Sequence, residues 1–350
     1  MERQSSRAHD AAARALATPG ATRRDQLAQR LDAAAQAGWL YYALGKTQGE
    51  IARKLEVSRQ TAQRLVSLSL SEGLIKVRLD HPIGRCLNLA RAIAARFDLG
   101  RVRVVPGDAD DGRATSLAVA QATAAEMERC LSDDAPQCIA FGTGRALKAA
   151  AAQLCPLDAS RHRIVSLAGN IASDGSASCY DVIFGVAERT GARCFPLPLP
   201  LLAASAQARR ELRAQPMVEG ALALGASADV AFVGIGQLDA DAPLVRDGFV
   251  AREEIDALTQ AGAVGEIIGW AFDRNGRLLD GLTNDRVASV ELPALRRCEV
   301  IGVAAGAAKV PAIHAALCGR LVNGLITDEP TAEALLCLAV GLPPNSAGSR

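Results

Sequence analysis

The stretch TQGEIARKLEVSRQTAQRLV, residues 47–66, decides the fold of the first part of the chain. Thr47 followed three residues later by Glu50 is the pattern of a capping box, in which two residues satisfy free N–H groups at a helix start. Ser58 predicts the cap of a second helix, and Glu56 and Val57 form the turn between the two. Both helices have apolar side chains at helical spacing, which we expect to face inward. These side chains are Ile51, Ala52, Leu55, Ala62, Leu65 and Val66, and Val57 is expected to point inward from the turn.

The exposed side of the second helix is polar. In a helix-turn-helix this part of the second helix enters the DNA major groove, where Arg binds guanine and Gln binds adenine through paired hydrogen bonds. Residues 74–79 alternate like the strand of a wing. The alternative is an ordinary amphipathic hairpin whose polar side chains face water. The residues that we expect to contact DNA are Gln48, Ser58, Arg59, Gln60, Thr61, Gln63 and Arg64.

Basic residues are concentrated around this motif. Residues 1–79 contain 13 Lys and Arg against 7 Asp and Glu, whereas residues 80–350 contain 26 against 31. Because phosphate neutralisation drives affinity for nucleic acids, this asymmetry favours a DNA-binding head. We divide the chain into a poorly ordered tail (1–29), a helix-turn-helix domain (30–80), a linker around HPIG (81–85) and a larger domain (86–345).

The larger domain alternates short β-rich runs with helical stretches. This alternation predicts an α/β fold with a mostly parallel, Rossmann-like sheet that helices cover on both faces. Glycines fall at the ends of several runs, and ligands of open α/β sheets bind at the carboxyl ends of the strands. The predicted strands are 102–105, 138–141, 164–167, 194–197, 230–235, 300–304 and 324–327, and the glycines are Gly107, Gly142, Gly169, Gly236 and Gly306.

The composition argues against several classes of protein. The nine cysteines are odd in number and include no C-x-x-C pair or histidine cluster, which argues against a disulfide framework and a metal site. No segment has the apolar length of a membrane span. Residues 1–30 lack the continuous apolar core of a signal peptide. We therefore expect a cytoplasmic protein without membrane partner, metal or cofactor.

Several segments resemble a known family. WLYYALGKTQGEIA (39–52), SRQT (58–61) and EGLI (72–75) are similar to the head of the SorC-type (SorC/DeoR-like) sugar-binding transcriptional regulators. In the larger domain, FGTGRAL (141–147), VGIG (233–236), GAVGEI (262–267) and GVAAGAAK (302–309), leading to LITDE (325–329), resemble the same family. The resemblance covers about residues 35–340. Where the family often has a β-branched residue after Thr61, this chain has Ala62.

This resemblance implies both architecture and function. It implies a winged helix-turn-helix and an effector domain with a fold like that of sugar-phosphate isomerases and deaminases, used for sensing rather than catalysis. The implied partners are operator DNA, a small sugar, polyol or sugar-phosphate effector, and further copies of the chain in a dimer or tetramer.

The loop Gly142-Thr143-Gly144 is the first part of the expected effector site. It follows a predicted strand and begins a helix, so its N–H groups and hydroxyl suit a phosphate or the oxygens of a sugar. Arg145 adds a charged donor. The alternative is a strand-to-helix turn that merely needs glycine.

Two charged residues and three further positions complete that site. Glu266 lies in an apolar run, where a carboxylate needs a partner or a ligand, and the resemblance implies that it contacts the effector. Family members often have Asp here, so the longer Glu266 indicates a different effector. Lys309 resembles the family's ligand-facing lysine. A structural salt bridge and an exposed surface lysine are the alternatives for these two. The further candidates are Gly169, Asn170 and Gln237.

Two enzyme classes compete with the regulator. A sugar-phosphate isomerase or deaminase with a helical head would need a positioned base and its partner, for which Glu266, Lys309 and Asp328 are the candidates. A dinucleotide-dependent oxidoreductase would need a third glycine, but residue 147 is Leu.

Overall fold

A computed structural model describes residues 23–75, 84–108, 111–169, 171, 176, 181–239 and 241–339 of the 350-residue chain. The chain divides into two compact units, Met1–Asp80 and His81–Arg350.

The first unit is helical. It contains α1 (Arg23–Gly38), a π-helical turn (Trp39–Ala43), α2 (Gln48–Lys54) and α3 (Arg59–Ser71). Helix α1 packs along α3, and α2 packs across α3. The three helices enclose a small apolar core that consists of Ala34, Ala37, Leu40, Ile51, Ala52, Ala62, Leu65 and Val66.

Both predicted caps are present in this unit. The Glu50 amide donates to Thr47 Oγ1 at 3.3 Å and the Thr47 amide donates to Glu50 Oε2 at 2.9 Å, which completes the capping box. The Thr61 amide donates to Ser58 Oγ at 3.1 Å at the start of α3. These local hydrogen bonds fix where α2 and α3 begin.

Two expectations at the ends of this unit, the tail and the linker, need revision, while most of a third, the wing, lies outside the described residues. Helix α1 begins at Arg23, so the last seven residues of the expected tail are helical; their Ala-rich continuation has high helix propensity and packs on α3. The described residues at the start of the expected wing, Leu74 and Ile75, are not in a strand, and residues 76–79 lie outside the described part. Residues 1–22 and 81–83 also lie outside it, whereas the expected linker's last two residues already belong to a helix.

The second unit alternates strands and helices. In chain order its elements are α4 (Gly84–Phe97), β1 (Arg101–Val105), α5 (Gly112–Leu131), β2 (Cys138–Phe141), α6 (Arg145–Gln153), β3 (Arg163–Ser166), α7 (Ile183–Thr190), β4 (Arg193–Phe195), α8 (Ala206–Arg213), α9 (Pro216–Ala226), β5 (Val230–Gly234), β6 (Gly236–Gln237), α10 (Pro243–Arg246), α11 (Arg252–Gln260), β7 (Ala263–Ile267), β8 (Trp270–Asp273), β9 (Glu299–Val303), α12 (Val310–Cys318), β10 (Gly324–Asp328) and α13 (Glu329–Ala339). Short 3₁₀ segments cover Leu282–Arg286, Leu292–Arg297 and Ala307–Lys309.

The seven predicted strands form one parallel sheet in the order β1-β10-β9-β5-β2-β3-β4. The sequence of β2 is continuously apolar because its side chains enter two buried apolar clusters. Cys138 and Ala140 belong to one cluster, and Ile139 and Phe141 belong to the other. Since successive side chains of a strand point to opposite faces, both faces of the sheet are covered. The expectation of a mostly parallel α/β sheet is confirmed.

The order of the strands creates a crevice in the middle of the sheet. From β2 the chain proceeds outward through β3 to β4, whereas from β5 it proceeds the other way through β9 to β10. The connections that leave the adjacent strands β2 and β5 therefore run in opposite directions along the sheet. Such a switch point leaves a gap at the carboxyl ends of the two strands, where open α/β sheets bind ligands.

A small antiparallel sheet, which the sequence did not predict, lies beside this crevice. It has the order β6-β7-β8, and its two-residue strand β6 pairs Gly236 with Glu266 of β7. Ile268 and Gly269 both have positive φ, as a two-residue hairpin turn requires. Strand β6 is too short to show a pattern, and β7 contains two unusual strand residues, Gly265 and Glu266.

No described helix combines the length and apolar character needed to cross a membrane. Within the described ranges, no group of three or more His, Cys, Asp or Glu side chains is placed to hold a metal ion.

Candidate functional site

A cavity of about 230 Å³ lies at the crevice between β2 and β5. Its wall contains residues that directly follow β2 and β5, the end of β9, and parts of the small antiparallel sheet. Six of the residues predicted for the effector site lie in this wall: Thr143, Gly144, Arg145, Gln237, Glu266 and Lys309.

The loop after β2 forms one side of the cavity. Gly144 has φ +123°, a conformation that side chains rarely adopt, and it caps helix α6. Gly142 lies beneath the wall rather than in it: its amide donates to the Phe232 carbonyl at 2.8 Å, and an added Cβ would lie 3.1 Å from Ile268 Cγ2. Gly142 therefore positions the loop, while Thr143 and Gly144 line the cavity.

Glu266 occupies the opposite side. Its Oε2 accepts a 2.8 Å hydrogen bond from the Gly269 amide in the β7–β8 turn. Gly236 leaves room for the other oxygen, since an added Cβ there would lie 2.1 Å from Glu266 Oε1. Burial raises the pKa of Glu266, against the lowering effects of the Gly269 amide and of Lys309. The carboxylate is thus held firmly in a poorly solvated wall.

Lys309 approaches from the 3₁₀ segment that precedes α12. Burial lowers the pKa of Lys309, the Glu266 carboxylate raises it, and the Arg145 guanidinium lowers it further. Three charged groups from distant parts of the sequence therefore influence one another around one small volume.

Gln237 adds a buried polar group to this wall. Its Oε1 atom is inaccessible to solvent and has no hydrogen-bond partner within the described part of the chain. An unpaired buried acceptor is costly.

The segment after β6 also borders the cavity, and the sequence analysis missed it. Asp241, Arg246, Asp247 and Phe249 all lie in the wall, and Asp247 Oδ1 pairs with the Arg145 guanidinium at 2.8 Å. The only signal was a pair of aspartates, at positions 239 and 241, shortly after a predicted strand end.

Three other candidates have different positions. Gly169 does not line the cavity but contacts the backbone, since an added Cβ would lie 2.0 Å from the Leu199 carbonyl oxygen. Asn170 lies outside the described residues. Asp328, named as a candidate for acid–base chemistry, accepts a 2.9 Å hydrogen bond from the Thr331 amide and so caps the start of α13.

A larger cavity, of about 670 Å³, lies at the opposite, amino-terminal end of β1, β9 and β10. Its lining includes Phe97, Arg277, Arg320 and Asn323 and none of the predicted site residues. We favour the smaller cavity as the binding site because it lies at the carboxyl ends of the strands, at the switch point, and contains the buried charges.

In the first unit, the start of α3 presents an exposed polar surface. Arg59, Gln60, Gln63 and Arg64 are exposed, whereas the Ser58 and Thr61 hydroxyls hydrogen-bond each other at 2.8 Å in the cap. A surface depression brings Arg59 together with Gln48. Tyr41 and Lys46, which the sequence analysis did not select, border the same depression.

Comparison with known proteins agrees with this architecture. Residues 81–337 match the family model Sugar-bind, described as "Putative sugar-binding domain". The chain is 33% identical over 303 residues to the erythritol catabolism regulatory protein EryD of Brucella abortus, and this alignment covers 87% of this chain and 96% of EryD. It is 32% identical over 311 residues to the transcriptional regulator LsrR of Klebsiella pneumoniae, and this alignment covers 87% of this chain and 93% of LsrR.

A solved structure is similar over the same extent. The full-length sorbitol operon regulator SorC from Klebsiella pneumoniae aligns with a TM-score of 0.67 and 29% identity, covering 87% of this chain and 98% of SorC. The family model alone spans most of the chain, and both relatives are aligned over nearly their whole length. The chain therefore belongs to the SorC-type family of sugar-binding transcriptional regulators.

Proposed function

We propose that this protein controls a carbohydrate or polyol catabolic operon by binding operator DNA through residues 30–80 and a small effector through residues 86–345. One observation carries the effector half: Thr143, Arg145, Gln237, Glu266 and Lys309 surround a single cavity at the switch point of the sheet. The effector is a small sugar, a polyol or a sugar phosphate. EryD, whose name refers to erythritol catabolism, supports a polyol among these.

The DNA half rests on the exposed start of α3. Arg59, Gln63 and Arg64 project from the helix that would enter the major groove, where Arg and Gln read base edges. Gln48, at the start of α2, and the Ser58–Thr61 cap would contact the DNA backbone beside it. Gln60 completes the exposed row.

We assign sensing rather than catalysis to the cavity. EryD, LsrR and SorC are named as regulators. Glu266 and Lys309 nevertheless share a cavity and have pKa values shifted in opposite directions, an arrangement also suited to acid–base chemistry. Incubation of the protein with each candidate ligand, followed by NMR, should therefore show no conversion. Steady turnover of any one of them would favour the isomerase or deaminase alternative.

We propose further that the protein acts in the cytoplasm as a dimer or tetramer. One helix-turn-helix reads only a few base pairs, so recognition of a unique operator needs two half-sites and two copies of α3.

Footprinting on the DNA upstream of the protein's own operon tests the function. We expect protection of a pseudo-palindromic or repeated site, and a change in that protection on addition of one sugar, polyol or sugar phosphate. A thermal-shift screen identifies the ligand, because an effector at 100 times its Kd stabilises the protein by about 2.7 kcal/mol.

Two variants test the assignment of the recognition helix. Arg59→Ala and Gln63→Ala should each weaken operator binding, since a paired base contact contributes about 1–3 kcal/mol of discrimination. Arg30→Ala, which removes the same charge from the exposed side of α1, is the control. Unchanged operator affinity in both α3 variants would show that another surface reads the DNA.

A further inference from the structure

Among the residues that the structure describes, the wall of the effector cavity is balanced in charge. It contains three cationic side chains, Arg145, Arg246 and Lys309, and three carboxylates. The carboxylates are Asp241, Asp247 and Glu266. A phosphate ester, by contrast, brings a charge of about −1.5 to −2 at neutral pH. The described charged side chains of this wall therefore give such an anion no net attraction, and the N–H groups at the start of α6 would be left to hold it.

Arg145, the cation nearest the start of α6, is already engaged. Its guanidinium pairs with Asp247 Oδ1 at 2.8 Å. The Asp247 side chain is only 16% exposed, against 42% for Arg145, so the carboxylate lies on the inner side of the pair. A phosphate at the loop after β2 would have to displace this carboxylate or lie beside it, and like charges at contact distance repel each other.

Lys309 is likewise accompanied by a carboxylate. Glu266 raises the pKa of Lys309, and Lys309 lowers the pKa of Glu266, so each favours the charged form of the other. An anion bound near Lys309 would also be near Glu266, which the Gly269 amide holds in place.

The Glu266 side of the wall calls for hydrogen-bond donors. The carboxylate of Glu266 accepts hydrogen bonds only, and the Gly269 amide supplies one donor to its Oε2. A hydroxyl can donate to this carboxylate, whereas a phosphate dianion has no proton to donate. The volume of about 230 Å³ is below the roughly 300–1,000 Å³ of sites for drug-sized ligands, which favours a short ligand.

We propose, resting on the function proposed above, that the effector is an uncharged polyhydroxy compound, a short polyol or unphosphorylated sugar, and that Asp247 selects against phosphorylated ligands. Asp247 does so by supplying from the protein itself the negative charge that Arg145 would otherwise offer to a phosphate.

Calorimetry on the full-length protein tests this selectivity. The ligands are erythritol, xylitol and D-ribose, the terminal monophosphate of each, and inorganic phosphate. We expect at least one uncharged compound to bind. Its monophosphate should have a Kd at least about tenfold higher, or should not bind. A phosphate ester that binds as tightly as its parent compound, or a panel in which no uncharged compound binds, would overturn the proposal.

An Asp247→Asn variant tests the role of the carboxylate. It should raise affinity for the phosphate esters by about tenfold or more, because Arg145 loses its carboxylate partner. Asp256→Asn, an exposed position on α11 outside the cavity wall, removes the same charge and should leave every affinity unchanged. Equal phosphate affinities in the native protein and Asp247→Asn would refute the role of Asp247.

Footprinting of operator DNA on the same preparations separates this proposal from the proposed function. If a phosphate ester releases the protein from operator DNA, the proposed selectivity is wrong, whereas the proposed function as a regulator stands. If neither the native protein nor any variant protects operator DNA, the proposed function itself fails, whatever the calorimetry shows.

Discussion

Replacement of Glu266 by Gln should separate effector binding from stability. Gln keeps the shape that Gly236 accommodates and can still accept from the Gly269 amide, which lies 2.8 Å from Oε2. It removes the charge that strengthens hydrogen bonds from ligand hydroxyls. Hydrogen bonds to charged groups contribute about 1.5–3 kcal/mol and neutral ones about 0.5–1.5 kcal/mol, so the loss is about 1–1.5 kcal/mol and the Kd for the effector should rise about 5- to 13-fold.

The same substitution should not destabilise the unliganded protein at neutral pH. Burial raises the pKa of Glu266 in the folded state. The contribution of Glu266 to the free energy of unfolding is therefore fully present below the ordinary carboxyl pKa, and it is lost as the pH rises through the raised pKa. The native protein should therefore lose stability relative to Glu266→Gln over that interval. Thermal unfolding between pH 4 and pH 8, compared for the two proteins, measures this difference.

Calorimetry of the Glu266→Gln protein against the effector from the screen is the decisive assay. Glu253→Gln, at an exposed position on α11, is the matched control and should bind the effector like the native protein. Operator binding without effector should be unchanged in both. If Glu266→Gln binds the effector as tightly as the native protein, the carboxylate is only structural and the site lies elsewhere.

Four further predictions follow from the geometry. Ser58→Ala should lower the free energy of unfolding of the helical unit by about 1 kcal/mol, because it removes the cap of α3. Circular dichroism should show a lower Tm for this variant and an unchanged Tm for Ser67→Ala, at an exposed position on the same helix. Equal Tm values for the two variants would contradict the role of the cap. Gly236→Ala should abolish effector binding in calorimetry, because the new Cβ would displace the Glu266 carboxylate that lies 2.1 Å away, and retained binding would show that the close contact is unimportant. Gly169→Ala should lower the Tm by destabilising the fold by about 1–3 kcal/mol or more, because the added Cβ would lie 2.0 Å from a backbone carbonyl; an unaltered Tm would contradict this. Light scattering should show a dimer or larger assembly both free and on operator DNA, and a monomer in both states would rule out recognition by paired half-sites.

Local patterns in the sequence were sufficient for the helix starts and the strands. The bonds between Thr47 and Glu50, and between Ser58 and Thr61, span three residues, so they could be predicted from spacing alone. The strands of the parallel sheet are buried on both faces, so they appear as apolar runs of the right length, as Cys138–Phe141 does. A buried charge is also visible locally, which is why Glu266 stood out.

The membership of the cavity was decided only by the tertiary structure. Glycine after a strand does not reveal which neighbour it contacts: Gly236 borders Glu266, while Gly169 packs against the Leu199 backbone outside the cavity. Asp247 meets Arg145 across 102 residues of sequence. Such contacts depend on strand order, on crossovers and on a two-residue strand too short to have a pattern. The sequence records periodicity and local hydrogen bonding, whereas the charge balance around the ligand arises only when the folded chain brings these distant groups within a few ångströms of one another.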